Sequence, residues 1–167
     1  MKQRIKQAVW IIAVSVLLAL GINALSEKGI PLEGHWPSIN NSYEVAIPPS
    51  ADEGDPPFVS LDEAAAKYQS RKAIFIDSRD PEDFEHSRIK GAINLPYDYL
   101  EDYWDEVIPT IPKDREVIIY CSGTECELSL FLARDMVYHG YENVYIFYGG
   151  WREWERARLP MEGSDID

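Results

Sequence analysis

Short β-branched apolar runs alternate along this chain with longer stretches whose apolar residues return every three or four positions. Ala73–Asp77 (AIFID), Val117–Tyr120 (VIIY) and Val144–Phe147 (VYIF) are almost continuously apolar, the pattern of strands covered on both faces of a parallel sheet. Phe58–Ser60 predicts one further brief strand. Ser60 then opens a capping box with Glu63, which predicts a helix to about Tyr68 supported by Ala64, Ala65 and Ala66. Asp80-Pro81 marks a helix start, with Asp80 as the cap and Pro81 at the first helical position. Tyr99, Leu100, Tyr103, Trp104 and Val107 make one apolar stripe among acids, so Tyr97–Val107 predicts an amphipathic helix packed on the sheet. From about Glu125 the spacing of Leu128, Phe131, Leu132 and Met136 predicts another helix, stopped by Gly140. Gly149-Gly150 allows a tight turn into a last helix carrying Trp151 and Trp154.

The N-terminal pattern is different. Ala8–Leu25 runs eighteen residues without a charge, about 27 Å as a helix against a hydrocarbon core of ~30 Å. Lys2, Arg4 and Lys6 precede it and only Lys28 closely follows, so the positive-inside rule predicts a single-pass membrane anchor with a cytoplasmic N-terminus and the rest of the chain outside. The rival is a cleaved signal peptide, for which Ala19-Leu20-Gly21 is a passable small-x-small site. Either way the domain is exported, in a bacterium to the periplasm. Residues 27–56 carry Pro31, Pro37, Pro48, Pro49 and Pro56 among Gly, Ser, Asn and acids, and read as a spacer. The expected organisation is therefore an anchor or signal segment at 1–26, the spacer at 27–56, a folded domain at 57–161 and an acidic tail at 162–167. A length of 167 residues leaves room for one such domain. The net charge is −13, and all of Lys2, Arg4 and Lys6 lie before the first acid, Glu27, so nucleic acid is excluded as a partner.

The candidate chemistry sits where a strand gives way to a helix. Cys121 ends the Val117–Tyr120 run, Ser122, Gly123 and Thr124 are turn formers, and a helix follows. Ligands of open α/β sheets bind at the carboxyl ends of strands. The unpartnered amides of a helix start favour an anion and lower a thiol pKa there. Cys121 is accordingly the candidate nucleophile, against the plainer role of a small buried residue closing a strand. His86 and the lone His35 beside Trp36 are read as incidental.

These residues resemble the rhodanese-like family. The resemblance rests on VIIYCSGTECELS, IFIDSRDPEDF, RIKGAINLPY and GYENVYIFYGGW, in the family's order and spacing, over about Phe58 to Pro160. It makes Gly91–Pro96 the third strand and turn, and with the alternation of elements it implies an α/β fold with a five-stranded parallel sheet, helices on both faces and right-handed crossovers. It also implies sulfur transfer. A Cys121 thiolate would take the outer sulfur of a donor, hold it as a persulfide in a loop of Ser122, Gly123, Thr124, Glu125 and Cys126, and give it to a thiol or cyanide. No metal or organic cofactor is implied, and the partners would be a small sulfur donor and a protein thiol or persulfide acceptor. By the same resemblance Asp77 and Arg79 organise the site, or form a plain structural ion pair, and Trp151 lines its entrance or packs in the core.

The chain departs from the family at Arg88, where many relatives carry a histidine, and in the loop after Cys121. Many sulfurtransferases of the family carry an arginine five residues after the cysteine, and phosphatase relatives one six residues after; here these positions are Cys126 and Glu127. Glu125 and Glu127 raise the thiol pKa and repel dianions such as thiosulfate, opposing the helix dipole. Without a cationic fork for phosphate, a phosphatase or arsenate reductase is excluded. Two other classes stay open: an exported thiol redox protein using Cys121 and Cys126, and a non-catalytic module that keeps the fold to hold a partner.

Overall fold

The computed structural model describes residues 2–25 and 45–166. They fall into two compact units, Met1–Pro37 and Ser38–Asp167, each taken by itself below. In the first, helix α1 spans Lys2–Leu25 and so includes the three basic residues ahead of the apolar run. Ile5, Val9, Trp10, Ile12, Val16, Leu17 and Ile22 are all exposed, on every side of the helix. By length and composition α1 is able to cross a membrane, a test that a signal sequence also passes.

The second unit is a layered α/β domain. Its helices are α2 (Leu61–Gln69), α3 (Pro81–His86), α4 (Leu100–Val107), α5 (Leu128–Tyr138) and α6 (Gly150–Arg156), and its strands are β1 (Ala73–Asp77), β2 (Arg88–Ile89), β3 (Ile93–Asn94), β4 (Glu116–Tyr120), β5 (Val144–Phe147) and β6 (Met161–Glu162). The main sheet has the order β3-β1-β4-β5 and is parallel throughout. It contains four strands where five were expected. The missing one, Phe58–Ser60, is a single parallel bridge from Phe58 to Ile146. Pro57 gives only its carbonyl, to the Ile146 amide, and Ser60 already caps α2, so no length remains for a ladder. The register sets Asp77 beside Tyr120 and Tyr120 beside Phe147. Three strands thus end in one row, and the residues that follow them share the carboxyl edge of the sheet.

Side-chain alternation divides the core into two layers. Ile76, Val117, Ile119 and Ile146 face one side, where Leu130, Leu132, Ala133 and Met136 of α5 cover them and the stripe of α4 adds Leu100, Tyr103, Trp104 and Val107. Phe75, Ile118, Tyr120 and Phe147 face the other, under Ala64 of α2 and Trp151 and Trp154 of α6.

Both expected ends of the domain move outwards. Residues 27–44 of the spacer lie outside the described residues, and the part from 45 onwards belongs to the folded unit. Ala46 packs against the core. Arg134 of α5 donates to Asp55 at 2.6 and 2.8 Å and to the Ser50 carbonyl at 3.1 Å, strapping this segment down. Its guanidinium hydrogen bond holds the Asp55 carboxyl below the usual carboxylate range. At the other end, β6 pairs antiparallel with β2, and Ser164 and Asp165 donate their amides to the Glu85 and His86 carbonyls. The expected boundary at 161/162 cuts through β6, and Glu162 is held by Arg88 at 3.1 Å.

Trp154 ties the second layer together. It is fully buried, its indole N–H donates to the Pro160 carbonyl at 3.0 Å, and its ring lies 5.3–6.2 Å from those of Tyr68, Phe75 and Phe147. Trp154→Ala is expected to cost about 3–5 kcal/mol of unfolding free energy, read by chemical denaturation of the full chain in detergent. A loss below about 1 kcal/mol, the scale of a surface change, would contradict this packing.

Candidate active-site loop

Tyr120 ends β4 with its carbonyl accepting both the amide and the hydroxyl of Ser78, each at 2.9 Å. Cys121 follows and is only 3 % exposed. Its carbonyl accepts the Trp151 amide at 2.8 Å, and the Ser122 carbonyl accepts the Arg152 amide at 3.0 Å, so the start of α6 docks directly on the loop. Gly150 permits this approach. Its φ is +63°, and a Cβ there would run into the Cys121 carbonyl oxygen and lie 2.8 Å from the Gly123 nitrogen.

The loop then folds back on itself. The Cys126 amide donates to the Gly123 carbonyl at 2.9 Å, and the Tyr148 hydroxyl donates to the Thr124 carbonyl at 2.7 Å. Cys121 and Cys126 are joined as a disulfide, with their Cα atoms 6.1 Å apart, inside the span such a bond bridges. The sequence left open whether the second sulfur turned towards the first; the structure turns it so. Helix α5 begins at Leu128, three residues later than expected, because residues 123–126 are occupied by that turn. The amides of residues 122–126 therefore belong to a loop, and that of Cys126 is already committed to Gly123. The Ser122 hydroxyl lies 3.8 Å from the Cys121 sulfur.

Asp77, Arg79 and Trp151 do come together, beneath the loop. Arg79 binds Asp77 through Nε at 2.9 Å and through a second nitrogen at 2.6 Å, donates to the Ser87 carbonyl at 2.7 Å, and has its guanidinium carbon 5.4 Å from the Trp151 ring centroid. Burial works against the charge on Arg79, but Asp77 more than restores it and the net shift is upward. Burial, with Asp77 beside it, also pushes the Tyr120 hydroxyl well above its ordinary pKa. The buried Asp77–Arg79 pair thus braces the chain where it leaves β1. Trp151 is buried in the core layer. His86 is exposed and bound through Nδ1 to the Glu82 carbonyl, taking no part here; His35 and Trp36 lie outside the described residues.

One residue of the site is absent from the sequence reading. Arg152 lies along the loop, its Cδ 3.6 Å from where a Gly123 Cβ would be, and pairs with Glu125 at 3.0 Å. Glu127 in turn accepts the Ser50 hydroxyl at 2.7 Å. The two loop acids therefore meet a cation and a donor, although the exposed Arg152–Glu125 pair contributes little to stability. The signal available beforehand was a basic residue two positions after the Gly149-Gly150 turn, which swings the first turn of α6 towards the loop.

Removing the Arg79 guanidinium would leave Asp77 buried and unpaired. Arg79→Ala is expected to lower the unfolding free energy by about 3–5 kcal/mol, with Asp77→Ala/Arg79→Ala costing less than the sum of the single changes. Denaturant titration of the three variants checks this, and strict additivity would count against a coupled pair.

The profile described as Rhodanese-like domain matches residues 60–157. A thiosulfate sulfurtransferase GlpE of Actinobacillus succinogenes is 36% identical over 96 residues, covering 56% of this chain and 79% of that protein. A tRNA uridine(34) hydroxylase of Erwinia tasmaniensis is 28% identical over 112 residues, 65% of this chain but 31% of that protein. Among solved structures, a Bacillus halodurans protein superposes with a TM-score of 0.55 at 22% identity, covering 68% of this chain and 82% of that one. A Pseudomonas aeruginosa thiosulfate sulfurtransferase does so at 0.53 and 23%, covering 65% and 20%. The structural likenesses bear on the fold alone. The four motifs, the parallel sheet with the cysteine at the end of β4 and the profile match over most of the folded unit agree: the chain belongs to the rhodanese-like family.

Proposed function

We propose that this protein is a sulfurtransferase that carries sulfane sulfur as a persulfide on Cys121. The observation that carries the reading is the placement of Cys121 at the carboxyl end of β4, on a loop whose backbone is held by Ser78, Trp151 and Arg152. Relatives named as thiosulfate sulfurtransferases support the reaction class. Relatives named as tRNA hydroxylases match over about a third of their length, and a net charge of −13 opposes contact with RNA.

The disulfide seen here is the oxidised resting form. Two electrons from a thiol reductant open it, and the Cys121 thiolate then attacks the outer sulfur of a donor. That sulfur's bond to the donor breaks, the donor leaves as a thiolate, and the new Cys121 persulfide passes its outer sulfur to an acceptor thiol. Glu125 and Glu127 flank Cys126, so a persulfide donor, whose reacting group carries one charge, is accommodated more readily than the compact dianion thiosulfate. Arg152 offsets one of these charges. The helix α1 would hold the domain at a membrane, on its outer face by the distribution of Lys2, Arg4 and Lys6, unless it is removed as a signal segment. The donor and acceptor are then extracytoplasmic.

The test uses the full-length Cys126→Ser chain in detergent, which cannot form the disulfide. Offered glutathione persulfide, it is expected to gain the mass of one sulfur atom on Cys121, and Cys121→Ser to gain none. Loading from thiosulfate should be slower by about tenfold or more, the factor given by ~1.4 kcal/mol of charge repulsion. Absence of any sulfur adduct from thiosulfate, polysulfide and glutathione persulfide alike would leave the fold as a binding module.

A further inference from the structure

Cys126 occupies the loop position where it bonds Cys121, and the two are the only cysteines in the chain. A structural staple is the plain explanation of such a bond. It fits poorly here, because cross-linking so short a loop removes the least chain entropy and the loop is already pinned by Trp151, Arg152 and Tyr148. The two sulfurs are also unequal. Cys121 is buried whereas Cys126 is only half-buried, so Cys126 is the more accessible of the two to a thiol arriving from solvent.

Building on the persulfide carried by Cys121, we propose that Cys126 resolves it, so that the protein reduces sulfane sulfur to hydrosulfide with electrons from an external dithiol. The Cys126 thiolate attacks the Cys121 sulfur, the atom it is bonded to in this structure. The Cys121–Cys126 bond forms, the bond from Cys121 to the outer sulfur breaks, and that sulfur leaves with the electron pair as hydrosulfide. Two electrons pass from the two cysteine thiolates to the sulfane sulfur, and the loop ends as the disulfide. A dithiol reductant then attacks Cys126, the less buried of the two cysteines, and forms a mixed disulfide there. Cys121 departs as the thiolate, ready for another sulfur, and the reductant's second thiol releases Cys126 while becoming a disulfide itself. The Gly123–Cys126 turn keeps the resolving sulfur within reach throughout. A chain with a resolving cysteine needs no second acceptor, and the lack of a loop arginine to dock an anionic donor matters less.

The test takes reduced full-length protein in detergent, freed of reductant, and adds one equivalent of glutathione persulfide. Hydrosulfide is measured above the level given by Cys121→Ser, and free thiols are alkylated at quench before intact-mass analysis. Wild type is expected to release one hydrosulfide per chain and to end with no added sulfur and neither cysteine alkylated. Cys126→Ser should keep one sulfur on Cys121 and release none. If wild type instead holds the sulfur while Cys126 is alkylated, resolution is overturned and the sulfur-carrier reading stands. If neither wild type nor Cys126→Ser takes or releases sulfur, that reading falls and this inference with it. The wild-type stoichiometry decides the matter even if Cys126→Ser fails to fold.

Discussion

Two backbone hydrogen bonds govern the site: the amides of Trp151 and Arg152 onto the carbonyls of Cys121 and Ser122. They require the first turn of α6 to approach the end of β4 more closely than any side chain at Gly150 would allow. That approach buries Cys121, lays Arg152 along the loop and places Trp151 over Arg79. The buried Asp77–Arg79 pair completes the arrangement from below by fixing the neighbouring strand end, where Asn94 also donates to the carbonyls of both residues. A charged pair of this kind adds little net stability when intact and costs much when broken. Its effect here is positional, since it braces the backbone that leaves β1.

The loop on this scaffold holds two sulfurs and two acids. Cys126, the second sulfur, is flanked by Glu125 and Glu127. The surroundings moderate those acids without reversing them: Arg152 meets one and the Ser50 hydroxyl the other. The strap that brings Ser50 there is held by Arg134 through Asp55. A segment that composition marks as spacer thus reaches the rim of the site.

Much of the fold was legible because long-range order was written in local pattern. Continuous apolar runs gave β1, β4 and β5, the Ser60 capping box gave the start of α2, and the turn-forming residues after Tyr120 located Cys121 at a strand end. Short elements carried no such signal. Strands β2 and β6 are two residues long, too short for any period to show, so the expected boundary at 161/162 falls inside β6. Glu125 looked like a helix start since the apolar spacing begins soon after it, but the turn tying Cys126 to Gly123 delays α5 to Leu128. Arg152 and the direction of the Cys126 side chain depend on how two loops meet across the sheet edge, which spacing along the chain does not encode.

The central claim is that both sulfurs of this loop face one another at the end of β4. Alkylation of the mildly oxidised full-length chain, with and without prior reduction, followed by intact-mass and peptide analysis, tests it most directly. The account predicts no alkyl group before reduction, two after it, and a monomer with Cys121 linked to Cys126. A Cys121 or Cys126 that is alkylated without reduction, or a bond between two chains, would contradict it.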